Sequence, residues 1–217
     1  MYSKVPYLAF QTTRRQLRSR LLVVALTLLN SYLSTGSSGR SPLRDVKAQI
    51  MDAAERRIQR GGFGGFSFRE IAADVGIKSS SVHYHFPTKE SLAAAVIRRW
   101  ATDTSDYIDA QLKKDPDPIR VWTNAFRGTA VSRGRMCPCT VLGAASQDLP
   151  AEVATEVKVF FKMCLDKLIA AGLTPGNAAE VLSTLTGALV VANALGDRAA
   201  YDRATRDLLR ERGAAAA

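Results

Sequence analysis

The chain has 217 residues, enough for one sizeable domain or two small ones sharing an interface. Hydrophobic residues make up 47% and charged residues 23%, an ordinary globular balance that excludes a disordered polyelectrolyte. The net charge of +10 is carried by the first hundred residues: +6 over 1–45, +4 over 46–100 and zero beyond, so a basic front suited to nucleic acid precedes a neutral body.

Three cysteines, Cys137, Cys139 and Cys164, are too few and too late in the chain for a disulfide framework, and they fit a reducing compartment. The sequence contains no Gly-rich phosphate loop, paired-cysteine zinc spacing, nucleophile elbow or long repeat. Residues 1–41 read as a basic and apolar extension, expected to be poorly ordered. Arg14, Arg15, Arg18 and Arg20 precede the apolar run 21–29, and a Ser/Gly-rich linker follows. Nine apolar residues are too few to cross a bilayer, which takes roughly 20. The run has the length of a secretory core, but its charged lead-in is long and no good cleavage site follows. Two other readings stay open: a basic arm that wraps DNA, or an extension ahead of a native start near Leu43 or Val46.

A first helix is expected over 42–60, with Ser41 and Pro42 as cap and first turn, and with Val46, Ile50, Ala53, Ala54 and Ile58 on its buried side. The stretch "GGFGGF" (61–66) ends it. A second helix opens at Ser67, which forms a capping-box pattern with Glu70. Its apolar stripe is Ile71, Ala72 and Val75, with Ala73 small enough for close approach, and Gly76 stops it. The third helix lies in "VGIKSSSVHYHFPTKESL" (75–92). Ile77, Val82 and Phe86 point inward, while Ser79 with His83, Ser80 with Tyr84, and Ser81 with His85 line the other faces one turn apart. Two helices separated by so short a turn meet at a steep angle, which is helix-turn-helix geometry. The plain alternative is a solvated surface helix whose histidines only cap and pack. His83 and His85 are two apart and diverge by about 200°, so they do not chelate one metal ion. No metal site and no cofactor is expected.

Residues 46–100 resemble the DNA-binding domain of the TetR family of bacterial transcriptional regulators. The resemblance rests on "FSFREIAADVGI" and "SSSVHYHFPTKESL", where an aromatic-His-Phe run leads into a Lys-Glu helix start. One departure is Lys78, where the family commonly has a small hydroxyl residue as N-cap. The resemblance implies an all-α fold, with a helix-turn-helix domain over 42–88 and a larger helical effector-binding and dimerisation domain over 89–217. It implies a repressor that binds a palindromic operator in double-stranded DNA as a homodimer and is released by a small-molecule effector. Such a protein is cytoplasmic, has no catalytic residues and no stable membrane association. In that fold the third helix enters the major groove. Arg69, Ser79, Ser80 and His83 are then the base-reading candidates. Lys78, Ser81, Tyr84, His85 and Lys89 are the phosphate-holding ones.

In the body a fourth helix is expected over 89–114, capped by Thr88, with Leu92, Val96, Trp100, Tyr107 and Ile108 buried along it. "DPDP" (115–118) breaks it, and Pro118 starts another helix toward Val131. Further helices are expected over 140–147, 151–171, 175–195 and 198–212, and no strand. On 151–171 the apolar face is Val153, Val157, Phe160, Phe161, Cys164, Leu165 and Leu168. Trp100, Tyr107, Trp122, Phe126, Met136, Phe160 and Met163 are effector-pocket candidates, with plain core packing as the alternative for each. In "RGRMCPCTVLG" (133–143), Cys137 and Cys139 stand near Arg133 and Arg135, which suggests a thiol sensor. The alternative there is two small apolar residues at a helix start.

Overall fold

The computed structural model describes residues 45–133 and 136–209. The extension over 1–41, the Ser41–Pro42 start signal and Arg135 lie outside the described residues, as does the end of the last predicted helix; of the Arg133 side chain nothing is described. The described residues are all-helical, without strands.

Helix α1 is Val46–Gly61. It begins later than the sequence suggests, because Asp45 rather than Ser41 is the N-cap: its side chain accepts the Ala48 N–H at 3.1 Å, from a non-helical backbone. Ile50, Ala53, Ala54 and Ile58 are fully buried. Gly62, at φ 63°, closes the helix, and a 3-10 turn over Phe63–Gly65 leads on. Helix α2 is Phe68–Val75 and ends on Gly76 at φ 76° in the left-handed region. Helix α3 is Ser79–His85 and α4 is Lys89–Leu112. Thr88 and Ser91 form a reciprocal capping box at the start of α4.

Helix α5 is Pro118–Arg133, and the Asp117 carboxylate accepts the N–H groups of Ile119 and Arg120 at its start. The short helix expected over 140–147 is resolved into α6, Pro138–Gly143, and a 3-10 turn over Ser146–Asp148. Helix α7 is Ala151–Ala170, α8 is Pro175–Leu195 and α9 is Arg198–Ala204. Thr174 caps α8 through the Asn177 N–H, and Gly196 ends it at φ 62°.

The core runs without a break from Ile50 on α1 to Tyr201 on α9. Helix α4 is its spine, packed against α1 at one end and along α7 over the rest. Of its expected inner face, Leu92, Val96 and Ile108 are buried and Trp100 is partly so, but Tyr107 is 49% exposed. Tyr107 and Ile108 are 100° apart on a helix, and the smaller aliphatic side chain takes the core position. On α7, Val153, Val157, Phe160, Cys164 and Leu168 are buried, while Phe161 and Leu165 pack at the margin. Helix α9 is pinned by the buried Tyr201 hydroxyl, which donates to the Thr123 carbonyl of α5 at 2.9 Å. Burial of this phenol, and then the neighbouring Asp202 carboxylate, raise its pKa against the opposing pull of the Arg127 cation. Helix α8 is long and apolar enough to cross a membrane. Its Val181, Leu182, Leu185, Ala188 and Leu189 instead pack into the protein core.

Candidate nucleic-acid interface and ligand cleft

The reading element is built by two buried residues and one latch. Val82 and Phe86 anchor the inner side of α3, so its opposite side is turned away from the protein. Helix α2 is fixed to α1 by Arg57, whose Nε and Nη2 donate to both oxygens of Asp74, at 2.6 and 3.0 Å, while Nη1 reaches Glu70 at 3.0 Å. The bond from Arg57 draws the Asp74 pKa down, and the Ser67 hydroxyl does the same for Glu70. Glu70 therefore answers its cap through the Ser67 hydroxyl, at 2.9 Å, as well as offering its N–H to Ser67 Oγ at 3.3 Å.

This scaffold leaves Arg69, Lys78, Ser80, His83 and Tyr84 exposed, with Ser79, Ser81 and His85 half-buried beside them. Tyr84 is 85% exposed, the most of any large apolar-bodied side chain among the described residues. The His83 ring stacks edge-on against Phe68 at 4.6 Å, and His85 does so against Tyr84 at 5.2 Å. Lys78 stands at the N-cap of α3 with extended backbone and gives no side-chain cap bond, so its ammonium is carried on an uncapped helix start. Lys89 is half-buried and has a structural contact that its sequence position does not show. Its Nζ lies over the rings of Phe63 and Phe66, at 4.5 and 4.8 Å, which ties α4 to the glycine-rich turn. Sequence reasoning missed Lys47, whose Nζ sits 5.6 Å from the Phe86 ring at the end of α3. Only tertiary packing brings the first turn of α1 there.

A cleft of about 700 Å³ opens where α1 meets the body. Trp100, Tyr107, Phe126 and Phe160 line it, and Cys137 closes part of its wall. Trp122, Met136 and Met163, also expected in a pocket, are not in its lining. Trp122 is instead fully buried, its ring 6.1 Å from Phe126. The polar rim was not legible in the sequence: Asp52, Glu55 and Gln59 come from α1, and Arg99 and Asp103 from α4. Arg99 bridges the two helices, with Nη1 2.8 Å from Asp52 and Nη2 2.9 Å from Glu55. Burial works against the Arg99 charge, but the two carboxylates more than offset it and raise its pKa. Gln59 is 7% exposed, and its Oε1 is buried with no hydrogen-bond partner.

The three cysteines are free thiols. Burial pushes Cys139 and Cys164 well above the ordinary thiol range. It pushes Cys137 the same way, but there the Cys139 thiol and the Thr140 amide donate to the sulfur and bring its pKa below the usual value. The Thr140 hydroxyl, also buried, has no oxygen or nitrogen partner.

A polar helix seated on a three-helix head, followed by a helical body with a cleft against that head, defines a DNA-binding regulator of the helix-turn-helix class. The model of the bacterial regulatory proteins of the tetR family matches residues 50–96. The structure is similar to a TetR transcriptional regulator from Legionella pneumophila, with 25% identity and a TM-score of 0.73 over 79% of this chain and 99% of that one. A TetR-family regulator from Agrobacterium tumefaciens is 28% identical, with a TM-score of 0.70 over 76% of this chain and 95% of that one. Among curated proteins none matches. The head thus matches the tetR-family model, and the described fold is that of these two TetR-family regulators, a fold of DNA-binding regulators.

Proposed function

We propose that the protein is a non-enzymatic repressor that binds a palindromic operator as a homodimer and is released by a small-molecule effector held in the cleft. The observation that carries this reading is the outer side of α3: polar, exposed, and held rigidly from behind by Val82 and Phe86. Arg69, Ser79, Ser80 and His83 read bases, Arg69 with the fork geometry that suits guanine. Lys78, Ser81, Tyr84 and His85 hold phosphates and set the register. Lys89 assists by bracing the turn as well as by its charge. The outer face of α8 supports a two-fold partner: Val190, Val191 and Leu195 are 46%, 50% and 67% exposed beside the small residues Ser183, Gly187 and Ala194. A two-fold pair sets two reading helices about one DNA turn apart. Such a protein works in the cytoplasm as a soluble dimer.

Release follows from linkage. The cleft touches both α1 of the head and α4 of the body. An effector that prefers one setting of the head therefore opposes an operator that prefers the other, each weakening the other equally.

Selection of bound duplexes from a random pool tests the reading. An enriched palindrome is expected, and failure to retain any preferred duplex would overturn it. On that operator, Arg69→Ala costs about 1–3 kcal/mol and relaxes preference at one position of each half-site, whereas Lys78→Ala weakens all sequences alike and flattens the salt dependence. Titration over a range of salt concentrations separates the two.

A further inference from the structure

We propose that Cys137 captures its effector covalently, and that the effector is a small α,β-unsaturated carbonyl compound with a hydrogen-bond donor at its far end. The proposal rests on the cleft being the effector site, and it adds the ligand's chemical class and the residue that bonds to it.

Three features of the cleft converge on that class. The body side of its wall is aromatic, from Trp100, Phe126 and Phe160, which suits an uncharged ring or short unsaturated chain. The head side offers an acceptor in want of a donor: Gln59 Oε1, buried and unpartnered. A buried acceptor left in that state carries a desolvation cost that a ligand hydroxyl removes. The third feature is the nucleophile. Cys137 is 4% exposed overall yet forms part of the cleft wall. Donors from Cys139 and Thr140 favour its thiolate, and the thiolate is the reactive form.

Cys139 and Cys164 do not share this position. Both are fully buried, neither lines the cleft, and burial holds both protonated. Cys139 thus serves as a donor to its neighbour rather than as a second nucleophile.

The step is a conjugate addition. The Cys137 sulfur forms a bond to the β-carbon of the ligand, and the carbon–carbon π bond breaks. Its electron pair passes through the α-carbon to the carbonyl oxygen, giving an enolate that takes a proton from water at the α-carbon. The thiol hydrogen and sulfur are added across one double bond. Nothing is oxidised and no group leaves.

Intact-mass measurement and peptide mapping of the full-length chain with 4-hydroxybenzylideneacetone test the proposal. One adduct per chain is expected, mapped to Cys137 and lost in Cys137→Ser. Benzylideneacetone, which lacks the phenol, is expected to react about tenfold more slowly, the factor that one unmet buried acceptor is worth. The same difference should shrink in Gln59→Leu, which removes the acceptor. Mapping of the parent chain does not depend on the folding of any variant. An adduct on Cys139 or Cys164, or none on the folded chain while the urea-unfolded chain reacts, would overturn the assignment. Operator affinity of the adducted chain is read separately. A mapped Cys137 adduct that leaves DNA binding unchanged upholds the capture and removes the cleft from the release mechanism.

Discussion

Ile71→Ala abolishes operator binding while leaving most of the helical body intact. Ile71 is fully buried where α2 meets the rest of the head, and truncating it there costs about 2–5 kcal/mol in transfer free energy and cavity. The head is the smaller part of the core, built on α1, α2 and α3 with Val82 and Phe86 as the main support of the reading helix. Local stability differs across a protein, and a small three-helix unit with short second and third helices sits toward the low end. A loss of that size leaves the head largely unfolded, so apparent affinity falls with the folded fraction of the head. Circular dichroism is expected to lose only a modest share of its helical signal. Ala73→Ser, on the exposed side of the same helix, should change stability by no more than about 0.5 kcal/mol. Parental operator affinity in Ile71→Ala would show that α2 does not depend on this contact.

Much of the head was legible because its signals are local. Ser67 with Glu70, Gly76 at positive φ, and Thr88 ahead of α4 each act within one turn, and each stands where the spacing predicts. Helix α8 was equally plain, since Pro175 and Gly196 mark both ends. The start of α1 was less so, because Ser41 and Asp45 are both competent caps and nothing in the residue pattern ranks them. The Asp45 carboxylate bond to Ala48 N–H decides it.

What could not be read is what depends on residues far apart. The polar rim of the cleft joins Glu55 to Arg99, 44 positions along the chain, and no periodicity links them. Trp122 and Phe126 lie one turn apart and look alike as pocket candidates, yet Phe126 lines the cleft while Trp122 is turned wholly into the core. The contrast among the cysteines is of the same kind. Sequence spacing pairs Cys137 with Cys139, but only packing shows which sulfur meets the cleft and which one donates to it.

Arg99→Met tests how head and body are coupled. Arg99 reaches from α4 to Asp52 and Glu55 on α1, and the Glu55 side chain is only 12% exposed. Methionine keeps an apolar stem of similar reach but leaves that carboxylate without its cation. A part-buried acceptor stripped of its donor costs about 1–3 kcal/mol, which lowers the thermal midpoint by roughly 2–4 °C per kcal/mol in a chain of this size. Adding Glu55→Gln to the same chain should restore part of the loss, because the orphaned charge is then gone. The consequence for DNA follows from where the bridge lies. With α1 no longer tied to α4, the head samples more orientations and fewer of them match a fixed half-site spacing, so operator affinity falls without any effector. For the same reason an effector has less left to undo, and its further effect on DNA binding shrinks. A variant with parental affinity and an undiminished effector response would reduce the Arg99 bridge to an ordinary ion pair and place the coupling elsewhere in the α1–α4 contact.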